Sequence, residues 1–253
     1  MSRLTPCPND VDRQTTADPA SSGDVEYLRI GGFVPLTTID YPGELAAVIF
    51  LQGCTWRCRY CQNGPLIDPN ATPVMAWSEI RRFLERRRGL LDAVVFSGGE
   101  PTLQSALASA MTEVRDLGFK VGLHTAGSAP RRLALLLPLL DWVALDIKAL
   151  PEDYPAITGS ARSGEAAWES LSLIQASGVS FEVRTTVMPH WTARDLETLA
   201  AALAQKGVRR YAVQACETRN ALDPLLPPPA IPLAQLAAAI DTAFFDRFLL
   251  RGH

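Results

Sequence analysis

From residue 46 onward, short unbroken apolar runs alternate with longer stretches in which apolar residues recur at helical spacing. The runs are rich in strand formers and bounded by glycine or polar clusters, so they predict buried strands. They fall at 46–52, 93–97, 120–124, 142–146, 180–187 and 210–215. The intervening stretches predict helices over 77–88, 103–117, 131–139, 165–177 and 193–205, with Gly89, Gly118, Gly178 and Gly207 as stops. A proline-rich connection from Asp223 to Pro229 leads to a last predicted helix over 233–248. Six strand–helix units in strict alternation predict an α/β fold, a parallel sheet with helices outside it. Curled into an arc, that sheet is a partial (β/α)6 barrel; left flat, it is doubly wound. No repeat is visible in the sequence, so the repetition is architectural.

Residues 1–27 break the pattern. They read Ser, Thr, Asp, Pro and Gln with few apolar positions, which predicts a disordered or loosely packed tail with Cys7 inert in it. The remainder, 28–253, reads as one core domain closed by the last helix. A chain of 253 residues, 47% hydrophobic and 20% charged, is ample for one large domain with a real core. The formal net charge of −3 gives no reason to expect general affinity for nucleic acid or an anionic membrane. No apolar run reaches membrane-spanning length and the polar start lacks a signal-peptide core, so neither a membrane nor a nucleic-acid partner is expected. Five cysteines in such a chain point to a reducing cytoplasm and to metal chemistry.

In parallel barrels, chemistry gathers at the C-terminal ends of the strands. Each predicted strand here ends in polar residues. The first runs through Gln52-Gly53 into Cys54-Thr-Trp-Arg-Cys58-Arg-Tyr60-Cys61-Gln-Asn63. Three readings of this cysteine loop stay open on spacing. A structural zinc site normally takes four ligands, and no fourth Cys or His is near. A disulfide framework suits neither the context nor the close spacing. An iron–sulfur loop would supply three thiolates, one fewer than a fully ligated four-iron cluster takes, leaving one iron open.

The second strand ends in Gly98-Gly99-Glu100-Pro101, where paired glycines either mark a turn or let backbone approach a ligand. The fourth ends in Asp146-Ile-Lys148, two side chains on one side of the strand, a surface ion pair or a binding pair. Arg184 sits inside an otherwise apolar strand and needs a partner. Asn63 is a loop cap or a site residue, and Cys216 at the sixth strand end reads as a small buried apolar residue. His190 reads as a solvated loop histidine. The arginine-rich stretch from Arg81 to Arg88 reads as the solvated outer face of a helix.

Cys-x3-Cys-x2-Cys after a strand, with Tyr60 before its last cysteine and Gly-Gly-Glu-Pro one unit on, resembles the radical S-adenosylmethionine (radical SAM) enzymes. The flanks Thr38-Ile-Asp40-Tyr41-Pro-Gly43, Phe50-Leu-Gln-Gly-Cys54 and Cys61-Gln-Asn63 are similar to those of the glycyl-radical-enzyme activases, most of all the activating proteins of the anaerobic ribonucleoside-triphosphate reductase. The resemblance covers about Gly31 to the C-terminal helix. It implies a partial (β/α)6 barrel and a [4Fe–4S] cluster held by Cys54, Cys58 and Cys61, with S-adenosylmethionine chelating the open iron. It implies contacts to that cofactor from Tyr60, Asn63, Gly98, Gly99, Glu100, Asp146, Lys148 and Arg184, with Lys148 on its carboxylate. Asp40 and Tyr41 would line the path of a substrate glycine loop. The implied partners are a glycyl radical enzyme, the anaerobic ribonucleotide reductase large subunit, and flavodoxin or a similar electron donor. Related enzymes place an aspartate where this chain has His124, so a monovalent cation beside Asp146 is expected to be absent or weakly held, oxygen being the ligand such ions prefer. Two other functions stay open: a radical enzyme acting on a small molecule, a peptide or another glycyl radical enzyme, and a metal-binding module without catalysis.

Overall fold

Residues 25–252 are described by the computed structural model. The expected tail lies outside the described residues as far as residue 24, and Cys7 with it. Its last part, Val25–Tyr27, is a 3-10 turn with Val25 buried.

Eight strands form one sheet in chain order. They are β1 (Ile30–Thr37), β2 (Ala46–Leu51), β3 (Ala93–Gly98), β4 (Lys120–Thr125), β5 (Trp142–Asp146), β6 (Ser180–Val187), β7 (Arg210–Ala215) and β8 (Arg247–Arg251). β1 pairs antiparallel with β2, and every later pair is parallel. The six expected strands are β2 to β7, and the sheet does not close, so the parallel α/β partial barrel is borne out. The helices are α1 (Trp77–Glu85), α2 (Leu107–Asp116), α3 (Pro130–Leu136), α4 (Tyr154–Thr158), α5 (Ser163–Ser177), α6 (Ala193–Gln205) and α7 (Leu233–Ala237).

Three differences have physical causes. β1 contains Gly31, Gly32 and Pro35, which weaken a strand signal. It is tolerated as an antiparallel edge strand whose register shifts between Val34 and Thr37, around the proline. The helix expected over 233–248 stops at Ala237. Asp241 accepts from Ala243 N and opens a 3-10 turn at Thr242–Phe244, after which β8 pairs with the free edge of β7. Phe245 and Phe248 pack on Tyr211, with ring centroids 5.2 and 5.9 Å away, so tertiary contact outweighs the alanine-rich helix propensity. The helix expected over 103–117 begins at Leu107, because Pro101–Leu103 forms a 3-10 turn and Gln104 is extended. Gln104 is spent as a tie: its amide reaches the carbonyls of Arg29 and Gln52, and its oxygen accepts from Arg29 N.

Side-chain alternation gives the sheet two different faces. One face, with Ile49, Leu51, Val94, Phe96, Leu123, Val143 and Val183, is buried against the helices. The other is apolar only at the N-terminal ends of the strands, where Val48, Val95, Trp142, Ala144 and Tyr41 cluster. Beyond that cluster the same face is polar, with Glu182 and His124 level with Ala144 and with Ser97, Asp146, Arg184, Thr186 and Gln214 nearer the C-terminal ends. Tyr41 stacks on Trp142 at 5.1 Å, worth about 0.5–1.5 kcal/mol beyond its burial. Asp40 and Tyr41 thus help close the floor of the barrel, whereas the sequence places them along a path for a substrate loop.

A candidate cofactor site at the strand ends

The cysteine loop is held by backbone on all sides. Gly53 and Cys54 donate to the carbonyls of Leu66 and Ile67 at 2.8 and 3.1 Å. Arg57 and Arg59 donate to Thr158 and Ile157 at the end of α4, at 2.9 and 3.0 Å. Leu222 and Asp223 donate to the carbonyls of Cys61 and Arg59, and the Asp223 carboxylate pairs with the Arg59 side chain at 2.8 Å. α4 was not foreseen, yet it braces this loop. Tyr154 packs edge-on to Trp56 at 5.9 Å, and its hydroxyl oxygen accepts from Lys148 N at 2.8 Å.

The loop roofs a cavity of about 340 Å³. Its wall includes Cys54, Cys58, Tyr60, Cys61, Asn63, Gly98, Gly99, Asp146, Lys148 and Arg184, brought together from residues 54–184 of the chain. Glu100 is the predicted site residue that does not line it. Its carboxylate is fully buried and accepts from Thr102 Oγ1 at 2.6 Å, Thr125 Oγ1 at 2.7 Å and Ala126 N at 2.9 Å. Burial pushes its pKa up while these donors oppose the shift. The side chain staples the end of β3 to the end of β4. Cys216 is buried in the helix-side core between two wall residues, Ala215 and Glu217, as a small apolar residue would be. His190 lines a different cavity, beside Arg59 and α4. Wall residues that the sequence did not single out are Ser97, Thr125, Thr186 and Gln214; Gln214 Nε2 donates to Thr186 Oγ1 at 2.7 Å. Inward parity on the strands was the available signal for Ser97, Thr186 and Gln214; Thr125 has the opposite parity and reaches the wall as the last residue of β4.

The glycine pair is required by packing. A Cβ on Gly98, whose φ is +120°, would lie 2.3 Å from the backbone N and O of Leu51, and one on Gly99 would lie 2.4 Å from Gly53 O. Asn63 Nδ2 donates to Gly98 O at 3.1 Å, so the loop and the glycine turn form one unit.

Asp146 and Lys148 do pair, at 3.1 Å, with the lysine side chain only 5% exposed. Its ammonium lies 5.4 Å from the Tyr60 ring centroid. Burial works against the charge on Lys148, but Tyr60, Asp146 and Cys58 together hold its pKa above the ordinary value. Tyr60 and Cys58 are themselves pushed up by burial and are neutral near pH 7, so Asp146 is the partner that matters there. Burial likewise pushes the Cys54 thiol up to about 11, so a metal must displace its proton.

His124 meets the carbonyl of Asp40 through Nε2 at 2.8 Å. Burial, and then the nearby Arg184 charge, lower its pKa from 6.5 to about 4. Between those values the unfolded chain binds a proton here and the folded chain does not, so stability is expected to fall as pH drops through that window. The full effect is about 3 kcal/mol. His124→Gln should flatten the slope of unfolding free energy measured in urea between about pH 7 and about pH 5. An unchanged slope would place the titration elsewhere.

Two buried polar atoms in this region lack a partner, Tyr60 Oη and Arg184 Nη2. Unpaired buried polar groups are uncommon, and here they fit a polar ligand in the cavity. The cavity volume is also that of a small-molecule site. A four-iron cluster takes each thiolate on a different iron and is left with one iron open when three are supplied. Three thiols on the wall of one cavity, with polar groups beside them, are a donor set that fits such a cluster with a polar organic ligand next to it.

The comparisons with known proteins agree with this chemistry. Residues 48–203 match the family model of the radical SAM superfamily, more than half of the chain, and the chain belongs to that superfamily. A Methanocaldococcus jannaschii protein named as a glycyl-radical enzyme activating enzyme is 32% identical over 215 residues, 77% of this chain and 82% of that one. The pyruvate formate-lyase-activating enzyme of Clostridium pasteurianum is 30% identical over 170 residues, covering 65% and 70% of the two chains. Within the superfamily the chain therefore belongs with the glycyl-radical-enzyme activating enzymes. Among solved structures, Streptococcus suis SuiB bound to S-adenosylmethionine superimposes with a TM-score of 0.62 at 15% identity, over 79% of this chain and 48% of SuiB. The chain spans about half the length of that structure, and the likeness shows the fold. Membership implies a [4Fe–4S] cluster and S-adenosylmethionine as cofactors. No helix among the described residues is long and apolar enough to cross a membrane.

Proposed function

We propose that this chain activates the anaerobic ribonucleoside-triphosphate reductase by placing a radical on a backbone glycine of its large subunit. The observation that carries the reading is the shared cavity, whose wall combines three cysteines, the glycine turn and the Asp146–Lys148 pair with Tyr60 and Arg184, two residues that each keep one unpartnered buried polar atom. Cys54, Cys58 and Cys61 would hold a [4Fe–4S] cluster. When bound, the reduced cluster and S-adenosylmethionine supply a radical able to take hydrogen from glycine. The protein's part is binding and orientation. Lys148 offers its ammonium to the cofactor carboxylate while Asp146 keeps that ammonium in place. The backbone at Gly98 and Gly99 faces the amino group, Glu100 keeps their turn rigid, and Tyr60 and Asn63 border the adenosyl moiety. Arg184 offers its free N–H to the cofactor. Flavodoxin or a similar donor supplies the electron.

The flanking sequences around residues 38–43, 50–54 and 61–63 favour the reductase as partner. A second reading, activation of pyruvate formate-lyase, is favoured by the names of several relatives. The test is anaerobic. The protein is reconstituted with iron and sulfide, reduced, given S-adenosylmethionine and mixed with either purified partner, and electron paramagnetic resonance is recorded. A glycyl-radical doublet on the reductase subunit, lost in Cys58→Ala, is expected. A doublet on pyruvate formate-lyase alone would transfer the activity to the second reading. No 5′-deoxyadenosine from a fully loaded protein would sink both.

A further inference from the structure

Glu182 and Arg184 are two residues apart on β6, so both side chains enter the barrel. Glu182 is 1% exposed. One of its oxygens, Oε1, accepts from Arg184 Nε at 2.9 Å and from Arg251 Nη2 at 2.8 Å. Arg251 comes from β8, the strand at the open edge of the sheet, and is 69 residues away in sequence. The Arg184 guanidinium lies 5.3 Å from the Trp142 ring centroid. Its Nη1 stands 3.4 and 3.5 Å from the two ring nitrogens of His124, whose own Nε2 is committed to Asp40 O. Glu182, Trp142 and His124 therefore fix the guanidinium on three sides. The nitrogen left over, Nη2, is buried without a partner on a residue that lines the cavity.

A guanidinium N–H held this way is a preorganised donor for an oxygen anion, and carboxylate is the group its geometry suits best. We propose that Glu182 and Arg251 are positioning residues that present Arg184 to the carboxylate of bound S-adenosylmethionine, as a second donor beside Lys148. The inference rests on the cofactor reading above. It also assigns a task to β8, which otherwise only extends the sheet. Asp146 and Arg184 are register partners on β5 and β6, so the carboxylate that anchors Lys148 and the second donor stand side by side on neighbouring strands.

The test is calorimetric titration of S-adenosylmethionine into the anaerobically reconstituted protein, with the Michaelis constant for the glycyl-radical partner measured separately. Glu182→Gln alone leaves the buried Arg184 and the half-buried Arg251 facing each other without their shared carboxylate and can cost the fold. The double variant Glu182→Gln/Arg251→Met removes one charge of each sign and keeps the balance. With iron content and melting temperature as in wild type, the double variant is expected to bind the cofactor about tenfold more weakly. Its Michaelis constant for the partner, at saturating cofactor, should be unchanged. Arg251→Lys, which keeps a cation on Glu182, should bind within about twofold of wild type. Wild-type affinity in the loaded double variant would overturn the inference. So would unchanged cofactor affinity with a raised constant for the partner, because Arg184 would then serve the polypeptide. A wild-type protein that takes up no S-adenosylmethionine would remove the cofactor reading itself, and this inference with it.

Discussion

Lys148→Met is expected to weaken S-adenosylmethionine binding about a hundredfold while leaving iron uptake intact. Lys148 is 4% exposed and its ammonium is matched by Asp146 at 3.1 Å. Methionine fills similar space without charge, so the cavity keeps its shape. What disappears is a charge-assisted donor in a desolvated wall, a contact worth about 1.5–3 kcal/mol. Asp146, 39% exposed in its side chain, also loses its partner. Water reaches that carboxylate, so the penalty for leaving it unpaired is smaller than the 3–5 kcal/mol of a fully buried pair. The negative charge left behind adds to the loss, because it faces the incoming cofactor carboxylate. Asp146→Asn keeps the ammonium and removes only its anchor, so it should lose about tenfold or less. The measurement is the dissociation constant of the iron-loaded variants by titration. Lys148→Met with wild-type affinity would remove Lys148 from the site and leave its buried charge without a purpose.

The parts of the fold that were legible are those whose signal is local. β2, β3 and β5 are buried on both faces from their N-terminal ends, so they read as continuous apolar runs, and helix stops such as Gly118 and Gly178 carry positive φ. The cysteine loop, the glycine turn and the Asp146–Lys148 pair were legible because each lies within one short segment at a strand end. What was hidden depends on contacts far apart in sequence. β8 looked helical because its partner, the free edge of β7, is invisible to propensity. Gln104 looked like one more helical residue, yet it ties Arg29 to Gln52 at the root of the cysteine loop. Glu100 was legible as important and misjudged in manner, since its donors Thr125 and Ala126 come from the next strand end. The Glu182–Arg251 pair joins a strand that was foreseen to one that was not.

Gly99→Ala should abolish iron loading of the cysteine loop although it adds one methyl group. The new Cβ would stand 2.4 Å from Gly53 O, 2.9 Å from Gly53 C and 3.0 Å from Leu66 O. All three are backbone atoms, which cannot swing aside as a side-chain tip can. Gly53 O also accepts from Glu100 N at 2.7 Å, and Gly53 N donates to Leu66 O at 2.8 Å. Relief therefore has to come from moving Gly53, and with it Cys54, the next residue. Overpacking of this kind costs about 1–3 kcal/mol, and here it falls on the placement of the first thiol. Gly118→Ala is the matched control. Its φ of +91° is strained for alanine, but no atom lies within 4 Å of the new Cβ. That variant should lose about 1 kcal/mol of stability and load iron normally. The readings are iron and sulfide per chain after anaerobic reconstitution, with the thermal midpoint alongside. If Gly99→Ala loads like wild type, the glycine turn and the cysteine loop are mechanically independent. If it loses stability no more than Gly118→Ala yet loads no iron, the defect lies in the loop that carries the thiols and not in the fold at large.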